Sequence, residues 1–554
     1  MKLNLVNYFQ FLALLCFWGC ASRVAPDGGP RDEQAPEVIT TMPAQKSLNI
    51  FPAKVEFEFN EFIQLKDGGS GILISPPMIK PPLSVLKGKN LILKFEEELE
   101  AQTTYTITLG ASVADLTESN LLEPYSLVFS TGDILDSLSC SGIVKDAFTG
   151  KAMKDVMVLL YTSAEDSLPK TTLPRYFGKT NENGQYTINN IKEGEYSLFA
   201  LKDVNNNYLY DQPGEKIGFI SERIALDTQV VNIPLIYLSA EIPEKQRLIK
   251  SDFSLPFTLL LKYAKAPDSL LIQDFARNKV NFYKSDVSIP DSLILHLERT
   301  SGDSLKLFVK NFENGDFNED TLELKLSISA AAGLKSKRKA APDTSLKLST
   351  NIEKGKLLPK AVFELYSSYP AVLNDTLKTY WRIENDTTEA ILETGKTPYV
   401  FTAKTPLAPG RAVEFIAFPG AINDIYGRRS DTLRVDFRRM DEEEIGNIEI
   451  LFEDLGKDTL NLIIEVLDAK SKVVFRQSIQ KSDSLFITEL NPGSYSMRLI
   501  DDKNLNTTWD PADFKNKLQA ESTYYYSGDI AVRAGWDISV EWIIRENKKA
   551  KIEE

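Results

Sequence analysis

One histidine and three cysteines are spread over 554 residues. His-rich zinc sites, iron–sulfur clusters and disulfide frameworks each need several such side chains, so all three are nearly excluded. Positive charge is also in deficit: 64 Lys and Arg stand against 78 Asp and Glu, a net charge of −14. Nucleic acid and anionic headgroups both call for a basic face, so neither is an expected partner. Helical periodicity is missing as well, with no stretch of three turns or more in which apolar residues recur at i, i+3 and i+4. The scarcity of imidazole leans against an enzyme.

What is present is alternation. Val55, Phe57 and Phe59 share one face while Glu56, Glu58 and Asn60 share the other. Tyr105, Ile107 and Leu109 alternate with threonines, and Leu322, Leu324, Leu326 and Ile328 alternate with Glu323, Lys325 and Ser327. Period 2 with turn residues between the runs predicts an all-β fold of tandem antiparallel β-sandwiches. The outer faces carry charge and there are no aromatic girdles, which excludes an outer-membrane barrel. At 43% hydrophobic residues the chain can bury several cores without disulfides.

The chain opens with Lys2, an apolar run from Leu5 to Gly19, and Cys20. This reads as a secretory signal, too short for a membrane span, with cleavage after the small Gly19. Residues 23–36, RVAPDGGPRDEQAP, have the composition of a flexible tether. Cys16 leaves with the signal, so Cys140 is expected to be a small buried hydrophobe without an intrachain partner.

Asp followed by Ser or Thr and then Leu recurs ten times, at Asp136, Asp166, Asp268, Asp291, Asp303, Asp320, Asp375, Asp431, Asp458 and Asp483. The expected role is a turn whose carboxylate bonds the next amides before a strand starts. Gly302–Asp303–Ser304–Leu305 also spells the nucleophile block of the GDSL esterases, but the one histidine, His296, lies upstream of Ser304. The tripeptide is therefore read as one of ten turns.

Two internal repeats organise the rest. GEYSLFALKDVNNNYLYD at 194–211 aligns without a gap on GSYSMRLIDDKNLNTTWD at 493–510, an offset of 299, and the preceding strands match too. Gly110–Leu116 corresponds more weakly to Pro419–Ile425 at an offset of 309. A two-domain unit used twice, with a further segment between, is the expected plan. The basic stretch 334–347 within that segment reads as a solvated joint.

The first repeat contains a candidate metal site. Asp203, Asn205, Asn207 and Asp211 occupy positions 1, 3, 5 and 9 of a loop, and Asp502, Asn504, Asn506 and Asp510 do so in the second copy. Calcium takes six to eight hard oxygens, and alternate side chains of a tight loop supply them. The EF-hand glycine and the Glu at position 12 are absent, so weak affinity is expected; the alternative is an Asx-turn loop with no metal.

These residues carry resemblances. Leu5–Cys20 resembles a bacterial lipoprotein signal, which implies that Cys20 is lipidated. FEFNEFIQL at 57–65, AQTTYTITLGASVADL at 101–116 and YSLVFSTGD at 125–133 resemble the SbsA-type bacterial Ig-like domain. SGIVKDAFTGKAMKDVMVLLY at 141–161 and TNENGQYTINNIKEGEYSLFALKD at 180–203 resemble the carboxypeptidase-regulatory-like, transthyretin-type β-sandwich. The combination is similar to a class of Gram-negative envelope lipoproteins. It implies a signal peptide at 1–19, a tether at 20–36, an Ig-like domain at 37–132 and a carboxypeptidase-regulatory-like domain at 133–238. A β-sandwich of unassigned family follows at 239–350, then a second such pair at 351–440 and 441–545, and a polar tail at 546–554. The implied protein is a non-enzymatic scaffold or binding module, held to the membrane through lipid at Cys20 and placed in the outer membrane. Its expected partner is another envelope protein or a glycan. The alternatives are glycan binding through Trp381, Trp509, Trp536 and Trp542, or a hydrolase working with carboxylates alone.

Overall fold

The computed structural model describes residues 32–543 except 70, 111, 166, 213, 228–229, 244–245, 256, 286–291, 299–303, 314, 326–344, 407–409, 454–460 and 481–483. The signal, Cys20 and most of the tether and of the basic stretch 334–347 lie outside the described residues. Within them there is no α-helix, only strands, turns and short 3-10 segments; no helix is long and apolar enough to cross a membrane. The fold is all-β, built of antiparallel β-sandwiches in tandem. It divides into two compact units: residues up to 144 with 154–211 and 220–235, and residues 145–153 and 212–219 with 236 onward.

In the first unit, Val38–Met42, Lys54–Phe59, Asn90–Lys94 and Leu83–Lys87 lie side by side in that order. Leu73–Ser75, Thr104–Leu109 and Tyr125–Ser130 form the second sheet. Their inward residues, Val55, Phe57, Phe59, Leu91, Leu93, Ile107, Leu127 and Phe129, meet in one core and are fully buried. Each such side chain contributes about 1.5–3 kcal/mol by leaving water. A short pair, Ile63–Leu65 with Val113–Asp115, closes one end, and the turn that follows is held by Asp115, whose carboxylate accepts the N–H groups of Thr117, Glu118, Ser119 and Asn120. Further along, Met157–Tyr161 pairs with Tyr176–Lys179 and with Gly194–Lys202, and Gln185–Ile191 pairs with residues 138–143. Polar side chains join these strands to the first sandwich. Arg175 pairs with Glu100 and donates to the Thr103 hydroxyl (3.0 Å), and Asn190 donates to the Thr106 hydroxyl (2.9 Å).

Among the described residues the second unit holds three further cores. Leu248–Leu255, Thr258–Tyr263, Ser292–Leu297 and Phe282–Lys284 form one sheet with Ser269–Asp274, Ser304–Glu313 and Asp316–Lys325 as the other. Tyr263 is fully buried between them, and its hydroxyl donates to Asn311 Oδ1 (2.6 Å) while Asn311 Nδ2 donates to Asp320 (2.7 Å). Asp320 is thus a mid-strand residue and not the turn its tripeptide predicts; its carboxylate is drawn inward to satisfy a buried amide. The next sandwich gathers Phe363, Trp381, Phe415 and Phe437, and the last gathers Ile448, Ile464, Met497, Leu499 and Trp542.

Both repeats recur in the backbone. Ile422–Asp424 pairs with Ala371–Leu373 as Val113–Asp115 does with Ile63–Leu65, and Asp424 accepts the N–H groups of Tyr426 and Arg428 as Asp115 does those of its own turn. At the offset of 299, strands Gln185–Ile191 and Gly194–Lys202 reappear as Ser484–Leu490 and Gly493–Asp501. Left-handed φ values at Asn190, Asn206 and Tyr208 reappear at Glu489, Leu505 and Thr507, residue for residue. A non-glycine residue pays for that conformation only where the surrounding bonds impose it.

His296 stands where two sandwiches of this unit meet. Leu293, Leu295 and Leu297 pack with their own core, while the imidazole, 4% exposed, lies on the opposite face against Tyr369 and Tyr399. Its Nδ1 shares a 2.6 Å hydrogen bond with the Tyr399 hydroxyl. Phe257 stacks on Tyr426 (4.5 Å between centroids), and the Tyr426 hydroxyl donates to the Leu297 carbonyl (2.8 Å).

Candidate functional site

The first Asp/Asn loop begins where Gly194–Lys202 ends. Asp203 Oδ1 accepts the N–H groups of Asn205 (3.1 Å) and Asn206 (2.7 Å), and Oδ2 accepts that of Tyr208 (2.8 Å). These bonds hold the two left-handed residues in place. Asn205 and Asn207 then reach forward, each donating its side-chain amide to Asp211, at 3.1 and 2.8 Å. Tyr208 turns inward onto Phe177, 4.8 Å between centroids, and burial pushes its hydroxyl pKa up to about 12. All four side chains singled out by spacing therefore belong to one hydrogen-bonded cluster.

The second loop repeats the arrangement. Asp502, 3% exposed, accepts the N–H groups of Asn506 (3.1 Å) and Thr507 (2.9 Å). Asn504 and Asn506 both donate to Asp510 Oδ2, at 2.6 and 2.7 Å. Spacing does not reveal Glu521, 5% exposed, which accepts the N–H groups of Lys503 (2.8 Å) and Asp510 (3.1 Å). Burial raises its pKa, and the charges of Asp510 and Asp502 add to this against the lowering effect of the two amides. Its counterpart is Glu215, 1% exposed, which stands just before the next strand, as Glu521 stands shortly before its own, and accepts the Gln212 N–H (3.0 Å). What the two share is burial just before a strand, which the fold sets and local spacing does not reveal.

Among the described residues, no three His, Cys, Asp or Glu side chains are grouped as a metal site. Any cation here would depend on the asparagine oxygens. Asn207 Oδ1 already accepts the Leu209 N–H (2.8 Å) and Asn506 Oδ1 that of Thr508 (2.7 Å), so both amides present N–H groups to the carboxylate, and a cation would have to displace these bonds.

The second loop also stands at a junction within its unit. Trp509 lies on Phe148, 4.8 Å between centroids, and donates its indole N–H to the Glu521 carbonyl (2.9 Å). The Arg498 guanidinium is 4.2 Å from the Phe148 centroid, and the Tyr525 hydroxyl donates to the Phe148 carbonyl. The N–H groups of Ala512 and Phe514 go to Ser239 (2.8 Å) and Glu241 (2.6 Å), and Gln519 donates to the Phe219 carbonyl (2.8 Å).

The other sequence candidates are dispersed. Trp381 and Trp542 are core residues, Trp509 belongs to the junction, and Trp536 is exposed beside Arg533. Cys140 is fully buried, and burial pushes its thiol pKa up to about 12. His296 is occupied by Tyr399, and Asp303 lies outside the described residues.

No curated protein matches the chain. Among solved structures it is similar to the Bacillus anthracis TIE protein, at 9% identity over 94% of this chain and 76% of that one, with a TM-score of 0.14. It is likewise similar to BcpA, the major pilin subunit of Bacillus cereus, at 9% identity over 74% of this chain and 99% of that one, TM-score 0.14. The N-terminal four Ig domains of Dscam1 isoform 8.4 share 10% identity over 71% of this chain and 97% of that one, TM-score 0.14. The family resemblance is local: residues 32–131 match the bacterial Ig-like domain.

Proposed function

We propose that the chain is a lipid-anchored envelope scaffold that works by holding and presenting β-sandwiches, not by catalysis. Lipid at Cys20 ties it to the outer membrane, residues 20–36 form the tether, and the carboxypeptidase-regulatory-like sandwiches follow the Ig-like ones as the sequence predicts. The observation that carries this reading is the construction of the junctions. Arg175 with Thr103, and His296 with Tyr399, join sandwiches through a part-buried and a buried polar contact. Such contacts fix spacing, which a scaffold needs and a set of freely jointed beads would lack. The experiment is fractionation of the Cys20→Ala protein. Loss from the membrane pellet after a salt wash is the expected result, because several acyl chains hold where one alone is marginal; a variant that stays in the pellet refutes the anchor.

In this reading the duplicated loops are weak calcium sites that stiffen the modules bearing them. Support comes from the convergence of Asn205 and Asn207 on Asp211, and of Asn504 and Asn506 on Asp510. Glycan binding through tryptophan is the weaker reading, since Trp381 and Trp542 are packed in cores.

A further inference from the structure

The sheet made of Ser269–Asp274, Ser304–Glu313 and Asp316–Lys325 turns Ile272, Leu307, Val309 and Leu322 into its core. Its outer face bears phenylalanine. Register sets Phe312 beside Phe317, Lys310 beside Glu319, Phe308 beside Thr321 and Lys306 beside Glu323. Phe275, in the turn after the first strand, is 72% exposed, and Phe317 is 55% exposed. Phe275 stacks on Phe308 at 6.3 Å, and Phe312 meets Phe317 at 5.8 Å. Cations lie over these rings: Arg277 is 3.5 Å from the Phe308 centroid, Lys310 is 4.9 Å from Phe317 and Lys306 is 5.9 Å from Phe275. Four phenylalanines on one outward face form the kind of patch that marks a contact surface.

The charges decide what covers it. Arg277 and Lys310 both pair with Glu319, at 2.7 and 3.7 Å, and Lys306 pairs with Glu323 at 2.7 Å. An anionic polymer would have to displace carboxylates already seated on all three cations. A second copy meets no such obstacle, because it brings the same mixture of rings, cations and carboxylates. If the two-fold axis runs across the strands, the rows exchange ends, and Lys306 and Lys310 of one copy come over Phe312 and Phe308 of the other. Each ammonium then gains a second ring, the arrangement an isologous contact requires. Three strands about 4.8 Å apart, with four side-chain rows about 6.8 Å apart, give roughly 400 Å² of face per copy. About 800 Å² in total is below the size of a stable interface and fits a weak, transient contact. We propose that this face is a self-association site through which two copies of the chain form a weak, reversible dimer.

Sedimentation velocity tests it on the full chain carrying Cys20→Ala, so that no acyl chain drives association. Over about 1–200 μM, which brackets the dissociation constants of weak complexes, the weight-average coefficient should rise from monomer toward dimer. Phe275→Asp with Phe317→Asp should weaken association at least tenfold and leave a single cooperative melting transition, because both rings are outside the core. A monomer at every concentration overturns the proposal, as does association that survives the double substitution. A monomer that binds polysaccharide, and loses that binding in the double variant, assigns the face to a sugar and overturns it equally.

Discussion

Acidification should loosen the junction built around His296, and the size of the effect follows from its surroundings. Burial lowers the imidazole pKa from 6.5 to about 4, and the Arg428 guanidinium adds to the shift. Tyr399, Tyr369 and Arg428 face it from the neighbouring sandwich, Tyr283 and Thr258 flank it in its own sheet, and Asp424 holds Arg428 at 2.6 Å. Above pH 6.5 the ring is neutral whether the chain is folded or not, and no stability depends on it. Between pH 6.5 and 4 the unfolded chain takes up a proton that the folded chain refuses, so stability falls by about 1.4 kcal/mol per pH unit. The total is about 3 kcal/mol, reached near pH 4 and constant below it, equivalent to a drop of roughly 6–12 °C in the midpoint when the two sandwiches at the junction, about 200 residues, melt together. Because His296 is the chain's one histidine, a long-range ¹H–¹⁵N spectrum contains a single imidazole to titrate. Carboxylates also titrate in this range, so calorimetry should compare wild type with His296→Gln, which keeps a hydrogen-bonding group and has no charge to gain. The difference between their midpoints should open below pH 6.5 and level off near pH 4. An imidazole that titrates at its ordinary pKa, or a pH-independent difference between the two proteins, refutes the argument.

Millimolar calcium should raise the melting midpoint of the full chain relative to chelator, and Asp203→Ala with Asp502→Ala should abolish the rise; equal midpoints in wild type leave only an Asx turn. Tyr263→Phe should cost about 1–3 kcal/mol in chemical denaturation, because it removes the donor to Asn311 Oδ1 inside a closed core; an unchanged transition would mean the amide finds another partner. Cys140 should resist thiol reagents in the folded protein and react only on unfolding, since it is fully buried with its pKa pushed up to about 12. Labelling of that thiol under native conditions by mass spectrometry would contradict the packing.

Strand content was legible in the sequence because period 2 is local: the alternation of Val55, Phe57 and Phe59 against Glu56 and Glu58 is also the alternation of buried and exposed positions. The duplicated loop was legible for a related reason. Its carboxylates bond amides two to five residues away, so identical spacing produces identical turns at Asp203 and Asp502. Asp320 misled because a turn tripeptide looks the same in mid-strand, and only Asn311, nine residues away across a hairpin, tells the two apart. Glu521 escaped notice because its partners, Lys503 and Asp510, are 18 and 11 residues distant.

The sequence by itself determined that this is a protein of alternating strands, with one unit of structure used twice and Asp/Asn turns at matching places. Tertiary structure alone decided what meets the second face of each sheet. Asn461–Asp468 buries Leu462, Ile464 and Val466 in its core as alternation requires, yet Ile463 and Glu465 on the other face are buried too, at 1% and 3% exposure. Glu465 is matched there by Arg476 and Arg498, and Arg498 in turn lies against Phe148, 350 residues away in the chain. His296 and Phe275 show the same divide: both fall outside their core's alternation, but one is sealed by Tyr399 and the other is left 72% exposed. A two-residue period specifies which side chains leave water first; whether the opposite face also leaves it depends on which distant surfaces fit, and no local pattern encodes that.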